Sequence, residues 1–298
     1  MTVSNTNTRI FVTGGSGLLG WTLTRYLPHT KTLFQYWQHP LPSTLSAVQL
    51  NLLQPENLTA TLDSYHPTVI INTAAYTDVA FCEENAPSAW TLNHEMPGWL
   101  ASWAQKNGAR LIHISTDLVF DGLKGNYCEE DPPNPVSVYS ATKLAGENAV
   151  LSNCSNSVVL RLSIMGGTSF TGRRSLNEAI PLTLKRNGFV KLFIDEYRSA
   201  IWADNVAEII LELLDHDFTG LRHVPGGKNY SRHEIGEMIF RYFDLPLEKL
   251  HFGSVQEFTG SPPRCPDVTM DGSLLRCHLT TPIIDFASGF QLYLSSRH

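Results

Sequence analysis

The segment Val138-Tyr139-Ser140-Ala141-Thr142-Lys143 places a tyrosine and a lysine four residues apart, at the start of a predicted helix. Residues at i and i+4 share one face of a helix. An ammonium fixed beside a phenol stabilises the phenolate, so we expect Lys143 to lower the pKa of Tyr139 from its usual value of about 10. Such a phenol can exchange a proton with a substrate oxygen. The alternative is a surface tyrosine and a lysine paired with Glu147, one turn further on.

A glycine-rich segment joins the first predicted strand to the first predicted helix. Gly14, Gly17 and Gly20 form a GxxGxxG pattern, and Leu18 and Leu19 lie within it. Glycines at this spacing permit a tight turn, close approach of the backbone to a pyrophosphate, and close packing of helix on strand. The N–H groups at the start of the helix can then bind the phosphates. An ordinary turn is the alternative, but its place in the first strand–helix unit favours dinucleotide binding.

The end of the second predicted strand bears on which dinucleotide binds. An acidic residue there would bind the ribose 2′-hydroxyl of NAD and repel the 2′-phosphate of NADP. The residues present are Gln35, Tyr36, Trp37, Gln38 and His39, without an acid. NADP is therefore slightly favoured over NAD, although no arginine or lysine in this stretch could bind the extra phosphate.

Composition and charge exclude several classes of protein. A net charge of −6 and a pI near 6.0 argue against nucleic-acid and anionic-membrane partners. The first eight residues lack the cationic and long apolar parts of a signal peptide, and no apolar run is long enough to span a bilayer. An odd number of cysteines without CxxC spacing suggests reduced thiols in the cytoplasm: Cys82, Cys128, Cys154, Cys265 and Cys277. The histidines form no HxxxH motif, so no protein-built metal site is predicted.

Apolar periodicity predicts strands that alternate with helices along the first half of the chain. This alternation is typical of a parallel, doubly wound sheet. The predicted strands are 9–13, 32–36, 68–72, 111–115 and 158–162, and the predicted helices are 18–27, 55–65, 86–106, 137–151 and 203–214. After Ser163 the pattern is interrupted by glycines, arginines and Pro181. We predict a nucleotide-binding domain over 1–165, with 201–225 packing back onto it, and a cap formed mainly by 166–298.

Five motifs follow one another along the chain: the glycine loop, Asn72-Thr73-Ala74-Ala75-Tyr76-Thr77, His113-Ile114-Ser115-Thr116-Asp117-Leu118-Val119-Phe120-Asp121-Gly122, Tyr139-x-x-x-Lys143 and Pro263-Arg264-Cys265-Pro266. In this order they resemble the extended short-chain dehydrogenase/reductase superfamily, and more closely the dTDP-4-dehydrorhamnose reductase family. The resemblance implies an α/β fold, with a Rossmann-type sheet and a smaller C-terminal α/β substrate-binding cap. It also implies that Tyr139 donates a proton to a carbonyl oxygen, that Lys143 binds the nicotinamide ribose, and that Thr116 binds the same substrate oxygen.

The same resemblance implies further cofactor contacts. Asn51 would touch the adenine, Ala74 and Ala75 would leave room for the cofactor, and Asn93 would support an irregularity in its helix. From the sequence alone, Asn93 is better explained as an exposed helix residue. The complete set of expected cofactor-binding residues is Gly14, Gly17, Leu18, Leu19, Gly20, His39, Asn51, Leu52, Ala74, Ala75, Tyr76, Asn93, Tyr139 and Lys143.

The expected substrate site departs from the family pattern. Leu118 and Ile164 stand where the family has a tyrosine and a tryptophan, which removes a hydroxyl, an indole N–H and flat stacking surfaces. Arg198 and Arg264 are candidate contacts to substrate phosphates. The alternative for Arg198 is an ion pair within the cap, since it follows Asp195 and Glu196, and the alternative for Arg264 is a structural contact. Of the neighbouring Arg173 and Arg174, we expect one to be solvated surface charge.

We therefore predict an NADPH-preferring carbonyl reductase that acts on a nucleotide-linked 4-keto-sugar or a related small ketone. A cytoplasmic location is expected, and a homodimer is a candidate assembly. Two alternatives keep the same cofactor site. One is a nucleotide-sugar epimerase or dehydratase, and the other is a regulatory subunit like the β subunit of methionine adenosyltransferase. The altered residues Leu118 and Ile164 motivate the regulatory alternative.

Overall fold

The computed structural model describes residues 8–294, so the amino-terminal prediction for Met1 to Thr8 lies, except for Thr8, outside the described residues. The strands are β1 (Ile10–Thr13), β2 (Thr32–Tyr36), β3 (Ala47–Gln49), β4 (Val69–Asn72), β5 (Arg110–Thr116), β6 (Ser157–Leu162), β7 (Met165–Gly166), β8 (Val190–Phe193), β9 (Tyr197–Arg198), β10 (Ile201–Trp202), β11 (Gly220–Val224), β12 (Tyr230–Ser231) and β13 (Leu250–Gly253). The helices are α1 (Leu18–Leu23), α2 (Pro55–Tyr65), α3 (Val79–Glu84), α4 (Ala86–Trp90), α5 (Met96–Asn107), α6 (Val138–Asn153), α7 (Leu176–Asn187), α8 (Ala203–Leu213), α9 (Arg232–Tyr242), α10 (Ser273–Arg276) and α11 (Phe286–Gly289).

Seven parallel strands form the main sheet, in the order β11-β6-β5-β4-β1-β2-β3. The central strands β1 and β4 are buried along their whole length, which is why their sequences are apolar rather than alternating. From β1 the chain first builds outward through β2 and β3 and then returns to β4 on the other side. Such a reversal opens a crevice at the carboxyl ends of the strands. The predicted doubly wound sheet is confirmed.

The sheet separates two apolar layers, because successive side chains of a strand point to opposite faces. Ile10 and Val12 pack in one layer with residues of α1 and α8, whereas Phe11 packs in the other with residues of α2 and α5. All three side chains are completely buried. The crevice is thus framed by strands that are fixed from both sides.

Most predicted elements in the first half of the chain are present within a residue or two of their predicted bounds. The edge strands β3 and β11 are absent from the prediction, because they are short or partly exposed and lack a continuous apolar run. The predicted helical stretch 86–106 is divided into α4, a π-helical turn at Thr91–Glu95, and α5.

The cap has a core of its own, in which Trp202 is completely buried against residues of α7, α9 and α11. The interruption predicted after Ser163 does not prevent helix formation, since α7 begins at Leu176 and continues through Pro181.

Helix α8 contacts α1 of the nucleotide-binding half. The boundaries 1–165, 201–225 and 166–298 stay our proposal for the domain division. Within residues 8–294, no helix combines the length and apolar composition needed to cross a bilayer.

Candidate active site

Tyr139 lies in the first turn of α6, which a capping box at Ser137 fixes. The Ser137 hydroxyl accepts from the Ser140 N–H at 3.1 Å, and the Ser140 hydroxyl accepts from the Ser137 N–H at 3.0 Å. The Tyr139 side chain is only 7% exposed and packs with Tyr76 and Leu118. The alternative of a surface tyrosine is therefore wrong.

The prediction that Lys143 lowers the pKa of Tyr139 is wrong for this structure. Burial raises the pKa of Tyr139, because the phenolate loses its contact with water, and a hydrogen bond with Thr116 opposes this effect only in part. The Thr116 hydroxyl donates to the Asp117 carboxylate at 3.2 Å, and the Ser163 hydroxyl donates to the other oxygen of Asp117 at 2.8 Å. Tyr139 thus keeps its proton at neutral pH beside an oriented threonine.

Lys143 is buried one turn after Tyr139, and its ammonium donates to the Ile114 carbonyl at 2.6 Å. Burial lowers the pKa of Lys143 from 10.5 to about 8, while the nearby charge of Glu147 raises it. The carbonyl of Ile114 belongs to β5, so this hydrogen bond fixes the start of α6 against the centre of the sheet. Lys143 is held in place by backbone rather than by a flexible partner.

Glu147 is paired with Arg161 of β6 rather than with Lys143. The guanidinium of Arg161 donates to both carboxylate oxygens, at 2.7 Å in the shortest contact, and both side chains are nearly completely buried. The Ser115 hydroxyl also donates to Glu147, at 2.5 Å. A buried ion pair with this many hydrogen bonds ties α6 to β5 and β6 directly below the Tyr139–Lys143 pair.

The glycine loop has the close contacts that its spacing predicts. Gly14 adopts a φ of +70°, and its N–H donates to the Gln35 side chain at 2.8 Å. A side chain at Gly20 would place its Cβ 2.2 Å from the Gly14 carbonyl oxygen, so the first turn of α1 can pack this closely on the loop only with a glycine at this position. Gly14 and Gly17 of the loop line a cleft.

A cleft of about 220 Å³ opens above this loop, and we call it the glycine-loop cleft. Its lining combines the loop with the ends of β2, β3 and β4: Gly14, Ser16, Gly17, Gln35, Tyr36, Trp37, Gln38, His39, Asn51, Leu52, Leu53, Thr73, Ala74, Ala75, Tyr76, Leu92 and Arg174. This shape, with backbone groups at one side and small residues opposite, fits an extended dinucleotide. The lining of this cleft carries no carboxylate, which fits NADP as well as NAD.

The structure divides the expected cofactor residues into two groups. Those in the cleft lining are Gly14, Gly17, His39, Asn51, Leu52, Ala74, Ala75 and Tyr76, and those outside it are Leu18, Leu19, Gly20, Asn93, Tyr139 and Lys143. Leu19 packs in the apolar layer beside α1, so its side chain supports the loop rather than a ligand. Tyr139 packs in the same apolar cluster as Tyr76, which is part of the cleft lining.

Asn93 is completely buried, so its expected exposure is wrong, whereas the helix irregularity implied by the family resemblance is present. The residue lies in the π-helical turn Thr91–Glu95. Its side-chain amide accepts from the Tyr76 N–H at 2.9 Å and donates to the Tyr76 carbonyl at 3.0 Å and to the Thr142 hydroxyl at 3.2 Å. Asn93 therefore connects the cleft wall to α6.

Helix α6 packs closely on the π-helical turn Thr91–Glu95, so a larger side chain at their contact should lower the stability of the protein. An alanine at Gly146 would place its Cβ 2.2 Å from the backbone oxygen of Asn93, so we expect Gly146→Ala to lower the free energy of unfolding by about 1–3 kcal/mol. Gly98→Ala is the matched control, because its Cβ would meet the nearest atom at an ordinary 3.5 Å. That control should be neutral or stabilising, because alanine favours a helix by up to about 1 kcal/mol. Urea unfolding measures both, and equal stability of the two variants would contradict the prediction.

A second space, the cap cavity, has a volume of about 360 Å³ and lies between α3, the start of α6 and the cap. Its lining consists of Asp78, Val79, Ala80, Leu118, Val136, Ser137, Ser140, Glu196, Arg198, Phe258, Ser261, Pro262, Pro263, Arg264 and Cys265. Three of the four expected substrate residues, Leu118, Arg198 and Arg264, are thus brought together. Ile164 is not among the lining residues and packs against the cap core. Tyr139 packs in one apolar cluster with Tyr76, which lines the glycine-loop cleft, and Leu118, which lines the cap cavity, but it lines neither space itself.

Arg198 and Arg264 share one carboxylate, that of Glu196. Arg198 donates to Glu196 at 2.7 Å and to the carbonyls of Tyr197 and Cys265, so the ion pair predicted as the alternative for Arg198 is confirmed. Arg264 donates to Glu196 at 3.0 Å and lies over the rings of Phe193 and Phe258. The Arg198 side chain is 7% exposed and that of Arg264 is 36% exposed, so Arg264 is the one that a ligand in the cavity can reach.

Arg232 adds a further charge to the group formed by Glu196, Arg198 and Arg264, and no local sequence pattern predicts this position. Burial lowers the pKa of Arg232 to about 10, the charge of Glu196 opposes this, and the neighbouring cations Arg198 and Arg264 add to it. Two of its buried nitrogens have no hydrogen-bond partner among the described residues. Three guanidinium groups thus surround the single carboxylate of Glu196, although Asp78 also lines the cavity and Arg232 lies outside its lining, so an anionic ligand would bind on the arginine side.

The geometry brings together a space for a dinucleotide, a space for an anionic ligand, and a protonated phenol that packs with one lining residue of each, Tyr76 and Leu118. Such an arrangement can transfer a proton to an oxygen of a ligand in the cap cavity while a redox cofactor lies on the other side. Among residues 8–294, no group of three or more histidine, cysteine and carboxylate side chains is placed to hold a metal ion.

The sequence and the fold of this chain are similar to those of several known proteins. The family model described as RmlD substrate binding domain matches residues 8–297. A probable low-salt glycan biosynthesis reductase of Haloferax volcanii is 35% identical over 77% of this chain and 78% of its own length. The methionine adenosyltransferase 2 subunit beta of Bos taurus is 30% identical over 82% and 75%, respectively. A crystal structure of a hypothetical dTDP-4-dehydrorhamnose reductase from Sulfolobus tokodaii is 33% identical and superposes with a TM-score of 0.83, over 94% of this chain and 97% of the other.

Proposed function

The chain belongs to the RmlD substrate binding domain family, and from this membership and the geometry of its two cavities we propose that it is an NADPH-dependent reductase of a nucleotide-linked keto-sugar. It is an NAD(P)-dependent oxidoreductase, in line with its similarity to a glycan biosynthesis reductase and to a hypothetical dTDP-4-dehydrorhamnose reductase. A bound reduced nicotinamide would supply the hydride that converts the sugar carbonyl to an alcohol.

The position of Tyr139 is the observation that carries this proposal. Its ring packs with Tyr76 of the glycine-loop cleft and with Leu118 of the cap cavity, and burial raises the pKa of its phenol. A reduction needs a proton at the carbonyl oxygen as the carbonyl carbon receives the hydride, and a phenol that keeps its proton at neutral pH is suited to donate it. The protonated phenol is the form that a reduction consumes, whereas the raised pKa by itself does not favour one direction of the reaction.

Thr116 and Lys143 would assist Tyr139 in different ways. Thr116 is within hydrogen-bonding reach of the phenol, and its own proton is directed toward Asp117, so we propose that it positions the substrate oxygen next to Tyr139. The Lys143 ammonium is fixed on the Ile114 carbonyl, with donors left for the nicotinamide ribose. A backbone carbonyl thus holds the Lys143 ammonium in one position, from which it can orient the cofactor.

The charge of the cap cavity supports a substrate that carries phosphates. Arg264 presents a partly exposed guanidinium there, and Arg198 and Arg232 lie behind it. Arginine binds phosphate groups through paired hydrogen bonds, as the diphosphate of a nucleotide-sugar requires. Leu118 offers an apolar surface beside Tyr139 in place of an aromatic ring, so we propose that the sugar is held by contacts other than ring stacking.

The direct test is the oxidation of NADPH, followed by its absorbance, with dTDP-, UDP- and GDP-linked 4-keto-sugars. We expect turnover with one of these nucleotide series, and no turnover with the corresponding sugar that has a hydroxyl group in place of the ketone. NADPH binding without oxidation by any of the keto-sugars would contradict the reductase proposal.

A regulatory subunit is the second candidate, because the chain is 30% identical to the methionine adenosyltransferase 2 subunit beta of Bos taurus. Such a subunit would bind the cofactor without reducing a ketone. The buried Tyr139 beside Thr116 opposes this candidate, since regulation needs no buried proton donor. A stable complex with a catalytic partner on purification, together with no NADPH oxidation, would reverse the order of the two proposals.

We further propose a cytoplasmic location and a homodimeric assembly. The location is supported by five free cysteines, of which Cys82, Cys154 and Cys265 are buried. Reduced, buried thiols are typical of proteins kept in a reducing compartment.

A further inference from the structure

Arg174 lies at an unexpected place, in the lining of the glycine-loop cleft. The other lining residues come from the nucleotide-binding half, whereas Arg174 precedes α7 of the cap. Among the residues that line this cleft, Arg174 is the only one with a permanent charge. The cap therefore contributes one cation to a cleft that is otherwise neutral.

The backbone around Arg174 is held by one carboxylate. Glu178 accepts from the Arg174 N–H at 2.9 Å, from the Ser175 N–H at 3.1 Å, and from both the N–H and the hydroxyl of Ser169. These bonds fold residues 169–175 into a compact loop and direct the charge of Glu178 toward backbone. The guanidinium of Arg174 is exposed, and no hydrogen bond or ion pair of its side chain is found within residues 8–294.

The same loop is docked on the nucleotide-binding half. Phe170 contacts the ring of Trp21 in α1 edge-on, with ring centroids 4.8 Å apart. Gly167 lies so close to Leu18 that an added Cβ would come within 3.2 Å of its side chain. Arg174 is thus carried by a loop that is fixed above the start of α1, rather than by a free surface segment.

The end of β2 leaves a gap that this cation can fill. In folds of this type the ribose 2′ group binds at the end of the second strand, and the pyrophosphate binds to backbone N–H groups of the glycine loop. Residues Gln35 to His39 contain neither the acid that would select NAD nor an arginine or lysine that would bind a 2′-phosphate. The pyrophosphate has backbone donors available, whereas a 2′-phosphate needs a cation from elsewhere.

We propose that Arg174, supplied by the cap, binds the 2′-phosphate of NADP and makes the cleft prefer NADP over NAD. This inference rests on the proposed function only in that the cleft must bind a dinucleotide. Arg174 would then determine cofactor specificity although it lies outside the end of β2, where such residues are expected. The docking of the cap loop would thereby affect which cofactor binds.

The test measures equilibrium binding of NADPH and NADH to the full-length chain by titration calorimetry. We expect Arg174→Ala to raise the Kd of NADPH about tenfold and to change that of NADH less than about twofold, as for loss of one charge-assisted contact. Arg174→Lys should retain part of the preference. Adenosine 2′-monophosphate should compete with NADPH for the wild-type protein and lose most of that ability with Arg174→Ala, whereas adenosine 5′-monophosphate should compete equally with both.

Arg173→Ala is the matched control, because Arg173 is the exposed neighbour that does not line the cleft. It should leave both dissociation constants unchanged, and thermal unfolding should show that all variants are folded. An equal loss of NADPH and NADH affinity in Arg174→Ala would assign Arg174 to the pyrophosphate and overturn the inference. So would unchanged binding of both cofactors, and in either case the reductase proposal would stand. Failure of the wild-type protein to bind either cofactor would overturn both proposals.

Discussion

Replacing Tyr139 with phenylalanine should reduce the turnover of a keto-sugar by about 10³-fold, within the range attributed to a positioned general acid. The change removes one oxygen from a ring that is buried against Tyr76 and Leu118, so the packing around it should persist. The reacting carbonyl oxygen would then have to take its proton from water. Because Tyr139 lies outside the lining of the glycine-loop cleft, we expect the Kd of NADPH to remain within about threefold of the wild-type value, far below the effect of a lost charged contact.

The measurement is the steady-state rate of NADPH oxidation, together with NADPH binding by calorimetry. Tyr242→Phe is the control, because it removes a hydroxyl from the cap core and leaves both cavities untouched. Full turnover by Tyr139→Phe would remove the proton donor from the mechanism. Equal loss of turnover and of NADPH affinity would indicate a structural role for the phenol instead.

Replacing Arg161 with methionine should lower the free energy of unfolding by about 3–5 kcal/mol, because Glu147 would become a buried carboxylate without its countercharge. The change removes three hydrogen bonds to Glu147 and leaves only that from Ser115. It also removes the guanidinium that lies 5.0 Å from the centre of the Phe120 ring. Since α6 carries Tyr139 and Lys143, turnover should fall as the helix loses its connection to β6.

Urea unfolding of three variants separates this effect from a general loss of charge. Lys191→Met removes an ion pair of the same 2.7 Å length that is exposed on the cap, and it should change stability little. The double variant Arg161→Met with Glu147→Leu should recover much of the lost stability, because no unpaired charge remains. A stability of Arg161→Met close to that of the wild type would show that the buried pair contributes little.

Local sequence patterns were sufficient to predict the central sheet and the spacing of Tyr139 and Lys143. The bounds of β2 and α2 agree with their predicted ranges. The apolar residues and flanking prolines that indicate each element lie within a few positions of it, so a short stretch of sequence is enough to predict it. Tyr139 and Lys143 are four residues apart in a helix, and that spacing alone places them on one face. The capping residues of α6 lie in the same short segment, so no distant contact was needed to infer the helix.

Local sequence patterns could not predict the pKa of Tyr139 or the partner of Glu147. The pKa of Tyr139 depends on its burial by Tyr76 and Leu118, and both lie outside α6. The partner of Glu147 is Arg161 rather than Lys143, because β6 is adjacent to β5 in the sheet and brings the guanidinium under α6. Sequence separation gives no indication of either contact.

The sequence by itself therefore decides the features that depend on nearby residues, and the tertiary structure decides those that depend on distant ones. Backbone conformation at the glycine loop and the spacing of Tyr139 and Lys143 depend on neighbours within one or two turns, and the sequence by itself determined them. The protonation of Tyr139, the pairing of Arg264 with Glu196, and the position of Arg174 in the cleft depend on desolvation and on contacts with distant segments. Only the folded chain decides these, because burial and electrostatic contact exist only after strands, helices and cap have packed together.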